Sequence, residues 1–208
     1  MIRSFLVILV MLGITGQTIA QPAADLAPMA EKPRPFPSAF AHAPTPNPDR
    51  IILTWAGDPA TTQAVTWRTD TSVARGQAQI TLSEPGNDFA PYRNKGLPNP
   101  EKVRTVPATT TLLASNLSKA HYHSVQFHSL KPDTNYLYRV GDGVNWSEWF
   151  QFHTAKSEPA RLRFIYFGDA QNDLKSHWSR VIRGAFSEMP KADFILHAGD
   201  LINRDSAD

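Results

Sequence analysis

Short stretches of alternating polar and apolar residues, each followed by a turn signal, constrain the fold of this chain more than any other feature. They run from Arg50 to Thr154, and no helical period interrupts them. The candidate strands are residues 51–55, 63–68, 77–82, 102–106, 109–114, 122–130, 135–140 and 149–154. Short strands at this spacing predict an antiparallel β-sandwich.

A different pattern begins after this region. Residues 162–167 and 193–198 are apolar strand candidates, and each is followed directly by Gly-Asp, which places Asp169 and Asp200 at the strand ends. Residues 174–188 between them carry apolar side chains at helical spacing. A strand, a helix and a second strand in this order predict a βαβ unit with parallel strands. The predicted fold class is therefore an all-β sandwich followed by the first βαβ unit of an incomplete α/β domain.

The amino terminus has the features of an export signal. Residues 1–20 combine an early Arg3 with an apolar stretch and small residues up to Ala20, which predicts a signal peptide cleaved after Ala20. An uncleaved anchor is the alternative. Residues 21–48 contain eight of the 17 prolines and are predicted to be a linker or an extended arm. We therefore expect an exported protein, periplasmic or extracellular, with no stable membrane span after cleavage.

Composition excludes several kinds of chemistry. The chain has no cysteine, so disulfides, thiolate metal sites and cysteine nucleophiles are excluded. The formal net charge is only +2, and no run of Lys and Arg is present, so nucleic acid is not indicated as a partner. The sequence does not specify an oligomeric state. Any metal must be held by oxygen ligands or imidazole.

The two Gly-Asp pairs are the strongest candidates for a functional site. Ligands of open α/β sheets bind beyond the carboxyl ends of the strands, where Asp169 and Asp200 are predicted to lie. Two carboxylates side by side are suited to a metal centre. The preceding glycines are expected to allow the tight turns. The alternative for each pair is an ordinary turn or a helix cap. Asp173, at the predicted helix start, is expected to cap that helix.

Two groups of residues identify a family resemblance. The first is Leu-Lys-Pro-Asp-Thr-Asn-Tyr-Leu-Tyr-Arg-Val-Gly at 130–141, followed by the strand ending at Thr154. Tyr136 in it is placed to form a tyrosine corner. The second comprises the motifs at 167–172 and 198–203, each with a central Gly-Asp. Residues 49–156 resemble the fibronectin type III-like N-terminal domain of purple acid phosphatases. Residues 160–208 resemble the start of a calcineurin-like metallophosphoesterase domain, here truncated.

The resemblance implies a function and a set of ligands. It implies a secreted, metal-dependent phosphoesterase that hydrolyses phosphate monoesters by a hydroxide activated by two metal ions. Asp169 would bind the first metal and Asp200 would bridge both. The ions are expected to be divalent, Fe, Mn or Zn, and the partner is a phosphate ester substrate.

The sequence departs from the family pattern at two positions. Asn203 stands where purple acid phosphatases have a metal-binding Tyr, and Gln171 stands where they have Gly and the wider superfamily often has His. Without the phenolate, no purple colour is expected, and a divalent ion is favoured over ferric iron. Each amide either ligates through its oxygen or orients a water.

The family's Gly-Asn-His motif and its later histidine motifs do not occur in these residues. The catalytic groups are therefore expected downstream of Asp208, and this chain alone is expected to be an inactive fragment or a truncated product. Two other hypotheses remain. One is a non-catalytic exported sandwich that binds a partner or glycan. The other is a parent enzyme acting on phosphodiesters or nucleotides.

Histidines and tryptophans offer weaker alternatives. His121 and His123 are two residues apart on one predicted strand, which fits either chelation or a sandwich core, and the core is favoured. His197 lies inside a parallel strand, where packing is expected. The four tryptophans of the sandwich region suit either a carbohydrate-binding surface or the core, and again the core is favoured; they are Trp55, Trp67, Trp146 and Trp149.

Overall fold

The computed structural model describes residues 42–83, 98, 100–115 and 118–202. The predicted signal peptide, most of the proline-rich segment, and Asn203 lie outside the described residues. Within the described ranges, no helix is long and apolar enough to cross a membrane. The fold class predicted from the sequence is confirmed: two antiparallel sheets are followed by a parallel βαβ unit.

Eight strands form the two antiparallel sheets. The first sheet has the order β1-β2-β6-β5 and consists of Asp49–Thr54, Gln63–Thr69, Lys119–Phe127 and Thr109–Ala114. The second has the order β4-β3-β7-β8 and consists of Arg104–Pro107, Gln77–Leu82, Asn135–Gly141 and Phe150–His153. A short 3-10 helix, Pro100–Lys102, precedes β4. This is the strand arrangement of immunoglobulin-like sandwiches.

The sandwich core is built from inward-facing residues of both sheets. In β2 and β6, which pair within the first sheet, Val65 is the register partner of Val125, and Trp67 and Phe127 lie two residues further along their strands. All four side chains are buried. Residues two apart on a strand point to the same face of the sheet, so these side chains form an apolar face that packs against the second sheet. The predicted tyrosine corner is confirmed, since the Lys131 N–H donates to Tyr136 Oη at 2.9 Å.

The second region contains β9, Phe164–Phe167, and β10, Phe194–His197, which pair in parallel. Between them lies α1, Ser179–Glu188, entered through a π-helical turn at Leu174–Trp178. The helix predicted at 174–188 is therefore present, but its first turn is wound more loosely than an α-helix. Because the strands pair in parallel, both Gly-Asp pairs emerge at the same edge of the sheet.

Candidate metal centre

Pairing of the two parallel strands brings the predicted ligands to one edge. Phe167 and His197, the last residues of β9 and β10, are register partners. The ladder continues one step further, because the Ala198 N–H donates to the Phe167 carbonyl at 2.8 Å. Asp169 follows the end of β9 by two residues, and Asp200 follows the end of β10 by three. The two carboxylates therefore belong to adjacent turns at the carboxyl edge, as the sequence predicts.

The backbone of both turns is unusual. Asp169 has φ 55° and Asp200 has φ 51°, in the left-handed region that non-glycine residues rarely adopt. Aspartate tolerates this conformation better than most residues, since its short polar side chain bonds locally. Gly199 has φ 109°, so here the expected role of glycine is confirmed. Gly168 does not have a positive φ. At the first turn, Asp169 itself adopts the left-handed conformation.

Both carboxylates are exposed to solvent. Gln171 is half-buried two residues beyond Asp169, whereas Asn203 lies outside the described residues. Carboxylate oxygens fit hard divalent ions, so Asp169 and Asp200 suit part of a metal-ligand set. Among residues 42–83, 98, 100–115 and 118–202, no three His, Cys, Asp or Glu side chains are grouped to hold a metal. Asp169 and Asp200 are therefore two candidate ligands, and no complete donor set lies among the described side chains.

Asp173 lies where the sequence predicts the helix start, but its carboxylate does not cap the helix. It has φ 51° and makes no side-chain capping hydrogen bond. Its carbonyl oxygen instead accepts from the N–H groups of His177 and Trp178. Its carboxylate lies 3.8 Å from His177 Nδ1, one helical turn away. The backbone of Asp173 explains the difference, because a capping residue typically has extended φ and ψ, whereas Asp173 is left-handed.

Rings from three elements meet at the ends of the two strands that lead into the aspartate turns. Trp178, at the end of the π-helical turn, contacts Phe167 with centroids 4.9 Å apart and His197 with centroids 5.8 Å apart. Both contacts are edge-on, at 70° and 71°. His197 also accepts a hydrogen bond at Nδ1 from the Gly199 N–H, at 3.2 Å. The packing role predicted for His197 is confirmed.

The other histidine pair is part of the sandwich core. His123 is fully buried and stacks on Trp67. Its Nε2 lies 2.8 Å from Thr69 Oγ1 and its Nδ1 lies 2.9 Å from Thr110 Oγ1. His121 Nδ1 lies 2.8 Å from the Val73 carbonyl oxygen. Because both ring nitrogens of His123 already have partners, chelation by this pair is disfavoured.

Burial disfavours the charged form of His123 and is the main reason that its pKa lies below the usual value. The neighbouring His121 lowers this pKa further, whereas Asp142 opposes the shift. The Thr69 hydroxyl donates to the Asp70 carbonyl, so it accepts from His123 Nε2–H. The Thr110 hydroxyl then donates to Nδ1, and the neutral ring is fully satisfied.

The sandwich tryptophans lie in three different environments. Trp67 is buried in the core. Trp55 packs edge-on against Phe194 of β10, with centroids 4.9 Å apart. Trp146 and Trp149 share one partner, because the Arg139 guanidinium lies 4.3 Å from the ring centre of Trp146 and 4.8 Å from that of Trp149. In the part of the chain described, the four rings are therefore divided among three environments and do not form one shared carbohydrate platform.

The architecture defines a class: an antiparallel sandwich joined to a parallel unit whose strands end in aspartate-bearing turns. The family model of the purple acid phosphatase N-terminal domain matches residues 48–154. The chain belongs to the purple acid phosphatase family through this domain. Members of that family are metal-dependent and have a dinuclear centre.

Individual relatives agree with this assignment. Acid phosphatase type 7 of Homo sapiens is 29% identical over 159 residues, which cover 76% of this chain and 33% of that protein. The Mus musculus protein of the same name is 31% identical over 158 residues, with the same coverage of 76% and 33%. The chain therefore spans about a third of the length of these curated relatives.

A solved structure shares the fold. Purple acid phosphatase PPD1 from yellow lupin (Lupinus luteus) seeds superposes with a TM-score of 0.57 and 15% sequence identity. The match covers 75% of this chain and 30% of the lupin chain. At this identity the similarity establishes a common fold.

Proposed function

We propose that the full-length protein is an exported, metal-dependent phosphoesterase that hydrolyses phosphate monoesters. The observation that carries this proposal is the placement of Asp169 and Asp200 in adjacent turns at the carboxyl edge of β9 and β10. Ligands of parallel sheets bind at this edge. Family membership and two relatives named as acid phosphatases support phosphate esters as the substrate class.

The proposed roles follow from the chemistry of the side chains. Asp169 and Asp200 would hold divalent ions through their hard carboxylate oxygens. Bound metal ions would supply Lewis-acid polarisation of the phosphate and would activate a water as the nucleophile. Gln171 and Asn203 offer neutral amide oxygens in place of charged ligands. Fewer anionic ligands favour divalent Fe, Mn or Zn over ferric iron.

The remaining ligands and the acid catalyst are proposed to come from residues beyond Asp208. No group of three possible ligands lies among the described residues, so Asp169 and Asp200 alone would not complete a donor set. We therefore expect little or no turnover from the 208-residue chain, and metal-dependent turnover from the full-length protein.

A paired substitution tests the proposed function. Asp200→Asn in the full-length protein should lower the hydrolysis of p-nitrophenyl phosphate in the presence of Mn²⁺ by at least about a hundredfold, because a charged ligand is lost. Asp193→Asn is the matched control at the amino edge of the same strand. Its Oδ2 accepts from the Arg163 N–H at 2.7 Å, and an amide oxygen preserves this bond. Unchanged hydrolysis in Asp200→Asn would contradict the proposal.

Substrate class is tested separately. We expect p-nitrophenyl phosphate to be hydrolysed faster than bis(p-nitrophenyl) phosphate by the full-length enzyme. Faster hydrolysis of the diester would favour the phosphodiesterase alternative while leaving the metal centre intact.

Export is tested on the mature protein. Amino-terminal sequencing of the protein secreted by its native host should begin at Gln21, after cleavage behind Ala20. A chain that begins at Met1 and remains attached to membranes would instead support the uncleaved anchor.

A further inference from the structure

We propose that three rings in edge-on contact at the ends of β9 and β10, those of Phe167, Trp178 and His197, position the turns that carry Asp169 and Asp200. We call this group the ring platform. The proposal rests on the proposed function, because it concerns the same metal centre. It assigns Trp178 and His197 a role as positioning residues, with no direct contact to metal or substrate.

The ring platform lies at the carboxyl ends of β9 and β10. Phe167 and His197 close the two strands as register partners, so their side chains lie on the same face of the sheet. Trp178 contacts both rings, at 4.9 and 5.8 Å between centroids. It therefore spans the ends of both strands, immediately before the two aspartate turns.

Burial is greatest at the ring platform. Phe167 is buried, and His197 Nε2 is closed off from solvent although the ring as a whole is half-buried. Most other large apolar side chains of this region are exposed. Among the described residues after 160, the buried apolar side chains, Phe167 and Ala170, thus lie at the end of the sheet that carries the carboxylates. Ordered packing at this point restrains the turns that follow.

His197 also makes a hydrogen bond to the second turn. Its Nδ1 accepts from the Gly199 N–H at 3.2 Å, and its Nε2 is buried without a hydrogen-bond partner among the described residues. Gly199 has φ 109° and directly precedes the left-handed Asp200. His197 thereby fixes the turn from which the Asp200 carboxylate projects.

The contact between Trp178 and His197 links the two turns. Trp178 follows Asp169 on the segment that leads into α1, whereas His197 precedes Asp200 on β10. Contact between the two rings connects the segments on either side of the proposed centre. Residues that orient metal ligands without touching the metal commonly change metal affinity about 10- to 100-fold when they are replaced.

Calorimetric titration of the metal-free, full-length protein with Mn²⁺ tests the proposal. Trp178→Leu should weaken Mn²⁺ binding about tenfold or more, and Trp178→Phe, which keeps an aromatic ring, should restore most of the affinity. Trp55→Leu is the matched control, because it removes an edge-on aromatic contact at the amino edge of the same strands. It should leave Mn²⁺ affinity unchanged.

A second variant keeps the proposal testable if Trp178→Leu does not fold. His197→Phe preserves a ring but removes the Nδ1 acceptor, and it should also weaken Mn²⁺ binding. Wild-type affinity in both Trp178→Leu and His197→Phe, with weakened binding in Asp200→Asn, would overturn the ring platform and leave the proposed function standing. An equal loss in Trp55→Leu would also overturn it. Wild-type affinity in Asp200→Asn would refute the proposed function itself.

Discussion

The sandwich and the parallel βαβ unit differ sharply in how they bury apolar surface. The sandwich closes around one core, made of Val65, Trp67, Ala78, Ile80, Val125, Phe127, Leu130, Tyr136, Tyr138, Val140 and Phe152. In the described residues after 160, the buried hydrophobic side chains are Phe167 and Ala170. The large exposed ones there include Tyr166, Val181, Phe186, Ile195 and Leu196.

This difference shows that the sandwich covers its own apolar surface, whereas the βαβ unit leaves most of its apolar surface exposed. The facing sheets of a sandwich cover each other, so its inner faces are buried, and the central strands β2 and β7 are buried along most of their length. A parallel sheet is normally covered on both faces, and here both β9 and β10 carry exposed apolar side chains. We therefore expect the free energy of unfolding of this chain to come mainly from the sandwich. The carboxyl edge of β9 and β10 relies on a few local contacts.

The largest expected effect tests this contrast directly. Phe127→Ala empties a fully buried site of the sandwich and should lower the free energy of unfolding by about 3–5 kcal/mol. Phe186→Ala in α1, where the side chain is 64% exposed, should change it by less than about 0.5 kcal/mol. Urea denaturation of the 208-residue chain measures both. Similar losses in the two variants would contradict the contrast.

The tyrosine corner should give the next largest effect. Tyr136→Phe removes the hydroxyl that accepts from the Lys131 N–H, and the unpaired amide should cost about 1–3 kcal/mol in stability. Tyr166→Phe is the control, because that side chain is 63% exposed on β9. Chemical denaturation should separate the two variants, and equal stability would show that the corner contributes nothing.

The buried His123 should make the sandwich sensitive to acid. Its pKa is lowered in the folded state, so below about pH 6.5 the unfolded chain binds a proton that the folded chain does not. The free energy of unfolding should therefore fall as the pH falls from 7 towards 5. His123→Gln, which has no titrating ring, should show a smaller slope in denaturation curves collected across this range. Identical slopes would exclude His123 as the source.

The smallest expected effect is the coupling between the two regions. Trp55 meets Phe194 edge-on, and such pairs contribute about 0.5–1.5 kcal/mol. A double-mutant cycle of Trp55→Ala and Phe194→Ala, followed by thermal or urea unfolding, measures this coupling energy. A value of zero would mean that the contact does not join the regions energetically.

Local sequence patterns predicted the elements well. The strands Gln77–Leu82 and Thr109–Ala114 have the bounds that were predicted from the sequence. Tyr136 forms the expected corner, and the parallel pairing of β9 with β10 follows from the apolar strands on either side of a helix. These features depend on residues close together in the chain, where periodicity and turn chemistry carry the information.

Features that depend on distant residues were not predictable in the same way. His123 is held by Thr69, which lies 54 residues away, and by Thr110 on a neighbouring strand. The Arg139 guanidinium contacts the rings of Trp146 and Trp149. The sequence pattern does not indicate these contacts. The left-handed turn at Asp169 and the π-helical turn after Asp173 also have no distinct sequence signal. Tertiary packing decides each of them.

Anomalous X-ray diffraction from crystals of the full-length protein soaked with Mn²⁺ tests the central claim most directly. We predict anomalous peaks within coordinating distance, about 2.0–2.2 Å, of the carboxylate oxygens of Asp169 and Asp200, with Asp200 contacting two of them. Mn²⁺ ions bound elsewhere, with both carboxylates free of metal, would contradict the assignment of this edge as a phosphoesterase centre.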